Sequence, residues 1–109
     1  MAYDHTLAER MRPLLLPRAG MSEKKMFGGV GFLLYGNMCC GIWKDTLIVR
    51  LSPDEASDAL KKPHARAFDI TGKPMKGWLL VEAAGIKKDV DLLGWIERAV
   101  AFVSSMRKK

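Results

Sequence analysis

Residues 26–43, MFGGVGFLLYGNMCCGIW, contain no charged side chain, although 28% of the 109-residue chain is charged. This segment constrains the fold more than any other, because an uncharged run of this length has few stable environments. Four interpretations of the segment are possible: a membrane span, a glycine-rich phosphate loop, a cysteine site or the interior of a sheet. The choice among these four decides what class of protein the chain is.

The first two environments fit the segment poorly. A transmembrane helix needs about twenty mostly apolar residues, whereas this run is shorter and contains Asn37 and several glycines, which weaken a helix. A Walker loop needs Lys followed by Ser or Thr, and a dinucleotide-binding loop needs G-x-G-x-x-G opening a helix. From Gly29 the sequence reads GVGFLL, so the third glycine is missing and strand-type residues follow.

The two cysteines, Cys39 and Cys40, are adjacent in the sequence. Adjacent residues of a regular strand point to opposite faces, there is no C-x-x-C motif, and no histidine lies nearby. We therefore predict two small sheet residues, with no metal and no cofactor. The N-terminus has early acidic residues and only a short apolar run, so we predict no signal peptide and a reducing, cytoplasmic location.

The sheet interpretation explains more of the pattern. Gly36-Asn37 is a two-residue hairpin turn signal, and Lys44-Asp45 can form a second tight turn. Together these turns pair Leu33 with Cys40, Cys40 with Val49, and Ile42 with Leu47. One face, which we expect the helices to cover, then consists of Gly31, Leu33, Tyr35, Met38, Cys40, Ile42, Leu47, Val49 and Leu51.

The opposite face of this predicted sheet is also largely apolar. It would carry Val30, Phe32, Leu34, Cys39, Gly41, Trp43, Thr46, Ile48 and Arg50. An antiparallel sheet with one solvated face alternates to polar residues on that face. We therefore predict a partner or dimer contact at Phe32, Leu34, Trp43 and Ile48, with Phe32 lying across from Gly41.

The rest of the chain predicts a single α+β domain over residues 1–109. We expect an antiparallel sheet of about five strands packed against N- and C-terminal helices. Asp4 or Thr6 can cap the first helix, and Ser52 followed by Pro53 is typical of the start of a second. The predicted elements are helices at 3–17, 51–60 and 87–109, strands at 22–27 and 77–82, and a loop at 61–76.

The chain is basic, with a net charge of +6 and a pI of about 9.6, which favours contact with polyanions. The Lys61–Lys76 loop is the densest basic segment, and Phe68 and Trp78 lie near it for base stacking. Direct nucleic-acid binding is therefore our alternative function, although no helix-turn-helix, zinc-finger or RNP motif is present. The predicted nucleic-acid contacts are Lys24, Lys25, Lys61, Lys62, Arg66, Lys73 and Lys76.

Catalysis has little support in the sequence. The chain has two histidines, His5 and His64, and no G-x-S-x-G motif. His64 with Arg66 and Asp69 is the best catalytic suggestion, but an ordinary solvated loop histidine explains it better. We predict that the protein is not an enzyme and has no catalytic residues.

The stretch KKMFGGVGFLLYGNMCCGIWKDTLIVRL resembles the N-terminal domain of the TfoX/Sxy family of bacterial competence regulators. The features that carry the resemblance are Lys25, the M-F-G-G of residues 26–29, the Gly36-Asn37 turn and Arg50. The later GWLLVE strand and the closing helix with Trp95 extend it over nearly the whole chain.

The resemblance implies an α+β fold like that of secretion chaperones and a non-enzymatic, protein-interaction role in regulation. Full-length members are thought to act as transcriptional co-activators alongside the cyclic-AMP receptor protein, and they carry a second, C-terminal domain. The resemblance therefore implies a stand-alone N-terminal domain. We expect a protein partner such as a transcription factor, or a second copy in a homodimer, and no membrane.

Overall fold

The computed structural model describes residues 3–26, 29–68 and 77–106. Within these ranges four consecutive strands follow the first helix, and two further strands lie between the second helix and the C-terminal helical elements. In chain order the elements are α1 (His5–Leu15), β1 (Met21–Met26), β2 (Gly29–Leu34), β3 (Asn37–Trp43), β4 (Thr46–Arg50), α2 (Pro53–Ala59), β5 (Ala65–Ala67), β6 (Trp78–Val81), a 3-10 helix (Ala83–Ile86) and α3 (Asp89–Ser104).

The first two helices begin at the capping residues that the sequence indicates. Asp4 Oδ1 accepts hydrogen bonds from the backbone N–H groups of Thr6 at 2.9 Å and Leu7 at 3.3 Å, so Asp4 caps α1. Ser52 Oγ accepts from the Glu55 N–H at 3.2 Å, and Pro53 is the first residue of α2. No helix within the described ranges is long and apolar enough to cross a bilayer.

The six strands found among the described residues form one antiparallel sheet in the order β1-β2-β3-β4-β6-β5. Helices α1 and α3 cover one face of it, which confirms the predicted α+β class. The sheet has one strand more than expected, because Ala65–Ala67, inside the predicted 61–76 loop, pairs with β6. The main core joins α1, α3 and this face through side chains that include Leu7, Met11, Leu15, Val30, Phe32, Ile42, Leu47, Val49, Leu79, Val81, Leu92, Ile96 and Val103.

The first hairpin turns one residue earlier than the sequence predicted. Leu34 pairs with Asn37, so the two turn residues are Tyr35 and Gly36, with φ of 49° and 86°. A tight hairpin turn of this kind needs positive φ at both positions, which is costly for tyrosine. The Tyr35 N–H donates to the Gly20 carbonyl at 2.8 Å, and a Cβ at Gly20 would lie 2.4 Å from the Tyr35 ring. The close contact with Gly20 therefore fixes the turn.

Strand β3 contains a β-bulge at Cys39. Phe32 pairs with Cys40 and Leu33 pairs with Met38, so Cys39 is one extra residue on the β3 side. Both cysteines then lie on the helix-covered face, and both are fully buried. The sequence offered no signal for this insertion.

The early turn and the bulge together reverse the predicted faces of β2. Val30, Phe32 and Leu34 belong to the main core, so the predicted placement of Phe32 and Leu34 on the opposite face is wrong. Gly41 pairs with Gly31, not with Phe32 as predicted. The second hairpin follows the prediction: Lys44-Asp45 is the turn, and the pairs Ile42–Leu47 and Cys40–Val49 are confirmed.

Arg12 and Glu23 join α1 to the edge strand β1. Arg12 Nε donates to Glu23 Oε1 at 2.9 Å, and Nη2 donates to Oε2 at 3.0 Å. This two-point hydrogen bond lowers the pKa of the Glu23 carboxyl, against the opposing effect of partial burial. Ionisation of the Glu23 carboxyl therefore increases the free energy of unfolding.

We expect Phe32→Ala to lower the free energy of unfolding by about 3–5 kcal/mol, because it leaves a cavity in the main core. Leu33→Ala should cost about 1 kcal/mol, because Leu33 is only half-buried on the other face. Urea unfolding of both variants measures the difference. The register described here would be contradicted if the Leu33 variant were the less stable of the two.

We expect Glu23→Gln to lower the free energy of unfolding by about 1 kcal/mol at neutral pH. Because the folded pKa of Glu23 lies below its unfolded value, the stabilisation is present above about pH 4.3 and is lost as pH falls through the folded pKa. Denaturant titrations from pH 7 down to acid should therefore show wild type and variant converging. Glu9→Gln, on the exposed side of α1, is the control and should have little effect at any pH. A cost for Glu23→Gln that stayed constant with pH would refute this account.

Candidate interaction surface

The sheet face turned away from α1 and α3, called the outer face below, carries few charged groups at its centre. Gly31 pairs with Gly41, and Leu33 pairs with Met38 beside them. A Cβ at Gly41 would lie 2.5 Å from the Val30 carbonyl oxygen and 2.9 Å from the Met38 Cε. Glycine is therefore required at position 41, and it lets the Met38 side chain lie flat on the sheet.

Beside these glycines the outer face has a small apolar core of its own. Ile48, Phe68 and Leu80 are buried there, and Ile48 pairs with Leu80 across β4 and β6. Three half-buried side chains pack around this cluster and remain partly exposed: Met38, Trp43 and Trp78. These three rim side chains, together with half-buried Leu33, therefore supply exposed apolar surface on the outer face.

Cations lie over the two rim tryptophans. Lys44 Nζ is 4.7 Å from the centre of the Trp43 ring, and the Arg50 guanidinium carbon is 5.0 Å from the Trp78 ring. Such contacts are worth about 0.5–1 kcal/mol at exposed sites. Phe68 packs against Trp78 with ring centres 5.8 Å apart. The outer face is thus an apolar, aromatic surface with a basic margin, suited to a partner that is apolar at its centre and acidic at its edge.

The structure divides the four predicted partner-contact residues between the two faces. Trp43 and Ile48 lie on the outer face, but Ile48 is 2% exposed and is covered by its neighbours. Phe32 and Leu34 lie in the main core. Leu33 and Met38 take their place on the outer face, which the sequence did not predict because the bulge that turns them outward has no sequence signal.

The predicted nucleic-acid residues do not form one cluster. Lys24 and Lys25 are on β1, while Arg66 is on β5, at the opposite edge of the six-stranded sheet, roughly 24 Å away at the usual strand spacing. Arg66 Nε lies 4.0 Å from Glu82 and Lys61 Nζ lies 3.7 Å from Asp58, so carboxylates sit beside both cations. Lys62 Nζ lies 5.6 Å over the Trp95 ring. Lys73 and Lys76, like Asp69, lie outside the described residues.

The two cysteines form a buried thiol pair with their sulfur atoms 3.8 Å apart. The hydrogen bond with Cys40 lowers the pKa of Cys39, while the same bond together with complete burial raises the pKa of Cys40. Cys39 Sγ also donates to the Phe32 carbonyl oxygen at 3.4 Å. With no exposed sulfur surface, the pair acts as core packing in this conformation.

The remaining candidate chemical groups lie in separate elements. His5, at the start of α1, stacks on Tyr3 with ring centres 4.6 Å apart. His64 lies in the exposed turn before β5 with a positive φ of 72°. Among the described residues, no group of three or more His, Cys, Asp or Glu side chains is placed to hold a metal ion.

The chain matches a known protein-family model. The family model described as the TfoX N-terminal domain matches residues 14–103, which span every strand of the sheet and nearly all of α3. Searches of the curated proteins and of the solved structures gave no match.

Proposed function

Because the chain belongs to the TfoX N-terminal domain family, we propose that it is a non-enzymatic regulatory domain that binds a protein partner through the outer face of its sheet. The observation that carries this proposal is the set of half-buried apolar side chains Leu33, Met38 and Trp43 around a floor of glycines. Antiparallel sheets whose second face meets only water place polar residues there. Partly exposed apolar side chains at these positions instead favour a protein interface.

The family-level resemblance to competence regulators suggests a transcription factor as the partner. The chemistry of the outer face is compatible with that choice, since Trp43 and Met38 supply the kinds of side chain that dominate protein interfaces. A second copy of the chain is the other protein partner that the same surface would suit. We place the interaction in the cytosol, where the unpaired thiols of Cys39 and Cys40 stay reduced.

The non-enzymatic part of the proposal is supported by the distribution of reactive groups. His5 and His64 belong to different elements, and the thiol pair lies in the core. A catalytic site needs such groups converging on one pocket. Direct nucleic-acid binding has less support than a protein contact, because the basic residues are spread over both edges of the sheet and two of them lie beside carboxylates.

We expect Trp43→Glu to weaken partner binding at least tenfold without unfolding the protein, because Trp43 is half-buried at the rim and not in the main core. The measurement is affinity capture from nuclease-treated lysate with quantitative mass spectrometry, together with sedimentation of the purified protein. Wild type should retain a protein partner after nuclease, or self-associate, and Trp43→Glu should reduce either signal at least tenfold.

Ala101→Glu is the matched control, since it adds the same charge at an exposed position of α3. It should bind like wild type, and circular dichroism should show all three proteins folded. Three results would count against the proposal: capture that disappears with nuclease, capture that is equal for both variants, or a wild type that is monomeric and retains no protein.

A further inference from the structure

A surface groove of about 490 Å³ lies beside α3, on the opposite side of the sheet from the outer face. One wall is the turn between α2 and β5, and the other is the N-terminal half of α3; the 3-10 helix contributes to its floor. We call it the α3 groove. The residues that matter for its chemistry are Lys62, His64, Gly85, Val90, Gly94 and Arg98.

Gly94 is the most informative residue of this groove. It lies in the interior of α3, where glycine is less favourable than alanine. Its backbone is helical, and a Cβ built on it would meet no atom of the described residues within 4 Å. Nothing in the described parts of the chain therefore requires glycine at position 94. The missing side chain only opens the groove above the helix, which is useful if another chain passes close to it.

The opposite wall is held in a strained but fixed shape. His64 has a φ of 72°, a left-handed conformation that is unfavourable for a non-glycine residue. Its carbonyl accepts a hydrogen bond from the Glu82 N–H at 2.8 Å, and a Cβ at Gly85 would come 2.8 Å from the His64 Cβ. The turn is therefore seated tightly on the 3-10 helix. Strain of this kind often accompanies a binding site.

The lining of the groove carries two cations, Lys62 and Arg98, and one carboxylate, Asp91. Lys62 Nζ and the Arg98 guanidinium carbon lie 5.6 Å and 5.0 Å from the centre of the same ring, that of Trp95. Arg98 also lies 3.9 Å from Glu55, and Asp91 is an acidic residue of the α3 wall. Beside these groups Val90 is 72% exposed, one helical turn before Gly94. The groove thus offers a cationic end, an open glycine and an apolar contact along one face of α3.

We propose that the α3 groove binds an acidic segment of a protein partner. The backbone of the segment passes over Gly94, its carboxylates meet Lys62 and Arg98, and an apolar side chain packs on Val90. This inference rests on the proposed function as a protein-interaction domain and adds a second contact surface with its own specificity. A chain with a net charge of +6 selects acidic partners by charge complementarity.

A nucleic acid fits the groove less well than an acidic peptide. Trp95 is 9% exposed and already carries two cations, so it offers no free ring for base stacking. Asp91 would repel a phosphate backbone, whereas a peptide can place a neutral residue there. The exposed side chain of Val90 has no hydrogen-bond donor or acceptor for a nucleic acid.

The test is a selection of random twelve-residue peptides displayed on phage against the purified protein. We expect the selected peptides to be enriched in Asp and Glu next to an aliphatic or aromatic residue. Gly94→Met should weaken their binding at least tenfold by filling the groove. The same change should raise the melting temperature, because methionine favours a helix more than glycine does, so lost binding would not reflect unfolding. Ala101→Met, at an exposed position of the same helix, should bind within about twofold of wild type.

Charge variants provide the second arm. Lys62→Gln should weaken peptide binding at least fivefold, whereas Lys24→Gln, which removes the same charge from β1, should change it less than twofold. Selected peptides without an acidic excess, equal binding to Gly94→Met, or equal effects of the two lysine variants would overturn the proposal. It would also fail if single-stranded DNA bound at the groove more tightly than the peptides, in a manner that Gly94→Met abolishes.

The outer-face proposal is tested separately. Trp43→Glu should bind the selected peptides like wild type, since Trp43 lies on the other side of the sheet. A wild type that selects no acidic peptide overturns the groove proposal alone. Capture through Trp43 would remain as evidence for the regulatory interaction.

Discussion

The β-bulge at Cys39 determines how the rest of the domain is arranged. One extra residue in β3 changes which side chains of the first hairpin point toward α1 and α3. It places Phe32 in the main core and turns Leu33 and Met38 outward. The composition of both sheet faces, and therefore of the candidate interface, follows from this single irregularity together with the early turn at Tyr35.

Much of the fold could be predicted from local signals. Asp4, Ser52 and Pro53 mark helix starts through capping chemistry that operates within a few residues. The Lys44-Asp45 turn gives the correct register of β3 with β4 because nothing interrupts the two-residue period there. The short strand β5 was missed because three residues of the type Ala-Arg-Ala carry no strand pattern; pairing with β6 makes them a strand.

The errors in the predicted sheet faces have a different origin. Tyr35 adopts a positive φ because its ring packs on Gly20, fifteen positions earlier in the chain, and no local rule favours tyrosine there. With the turn one residue early, Phe32 and Leu34 change faces, while Trp43 and Ile48, on the far side of the bulge, keep theirs. The α3 groove did leave a trace in the sequence, since a glycine interrupts an otherwise good helix at Gly94. Only the structure distinguishes a glycine that packing requires from one that leaves open space.

The strand order also has a consequence for solubility. The two edge strands of an open sheet expose backbone groups that can pair with another molecule and begin aggregation. Among the described strands one edge, β5, is only three residues long, and the other, β1, carries Lys24 and Lys25 in the second half of its pairing stretch. Desolvating two ammonium groups against a second sheet is unfavourable, so these lysines keep the longer edge from adding strands. Two of the chain's positive charges, those of Lys24 and Lys25, thus have a structural explanation that requires no bound polyanion.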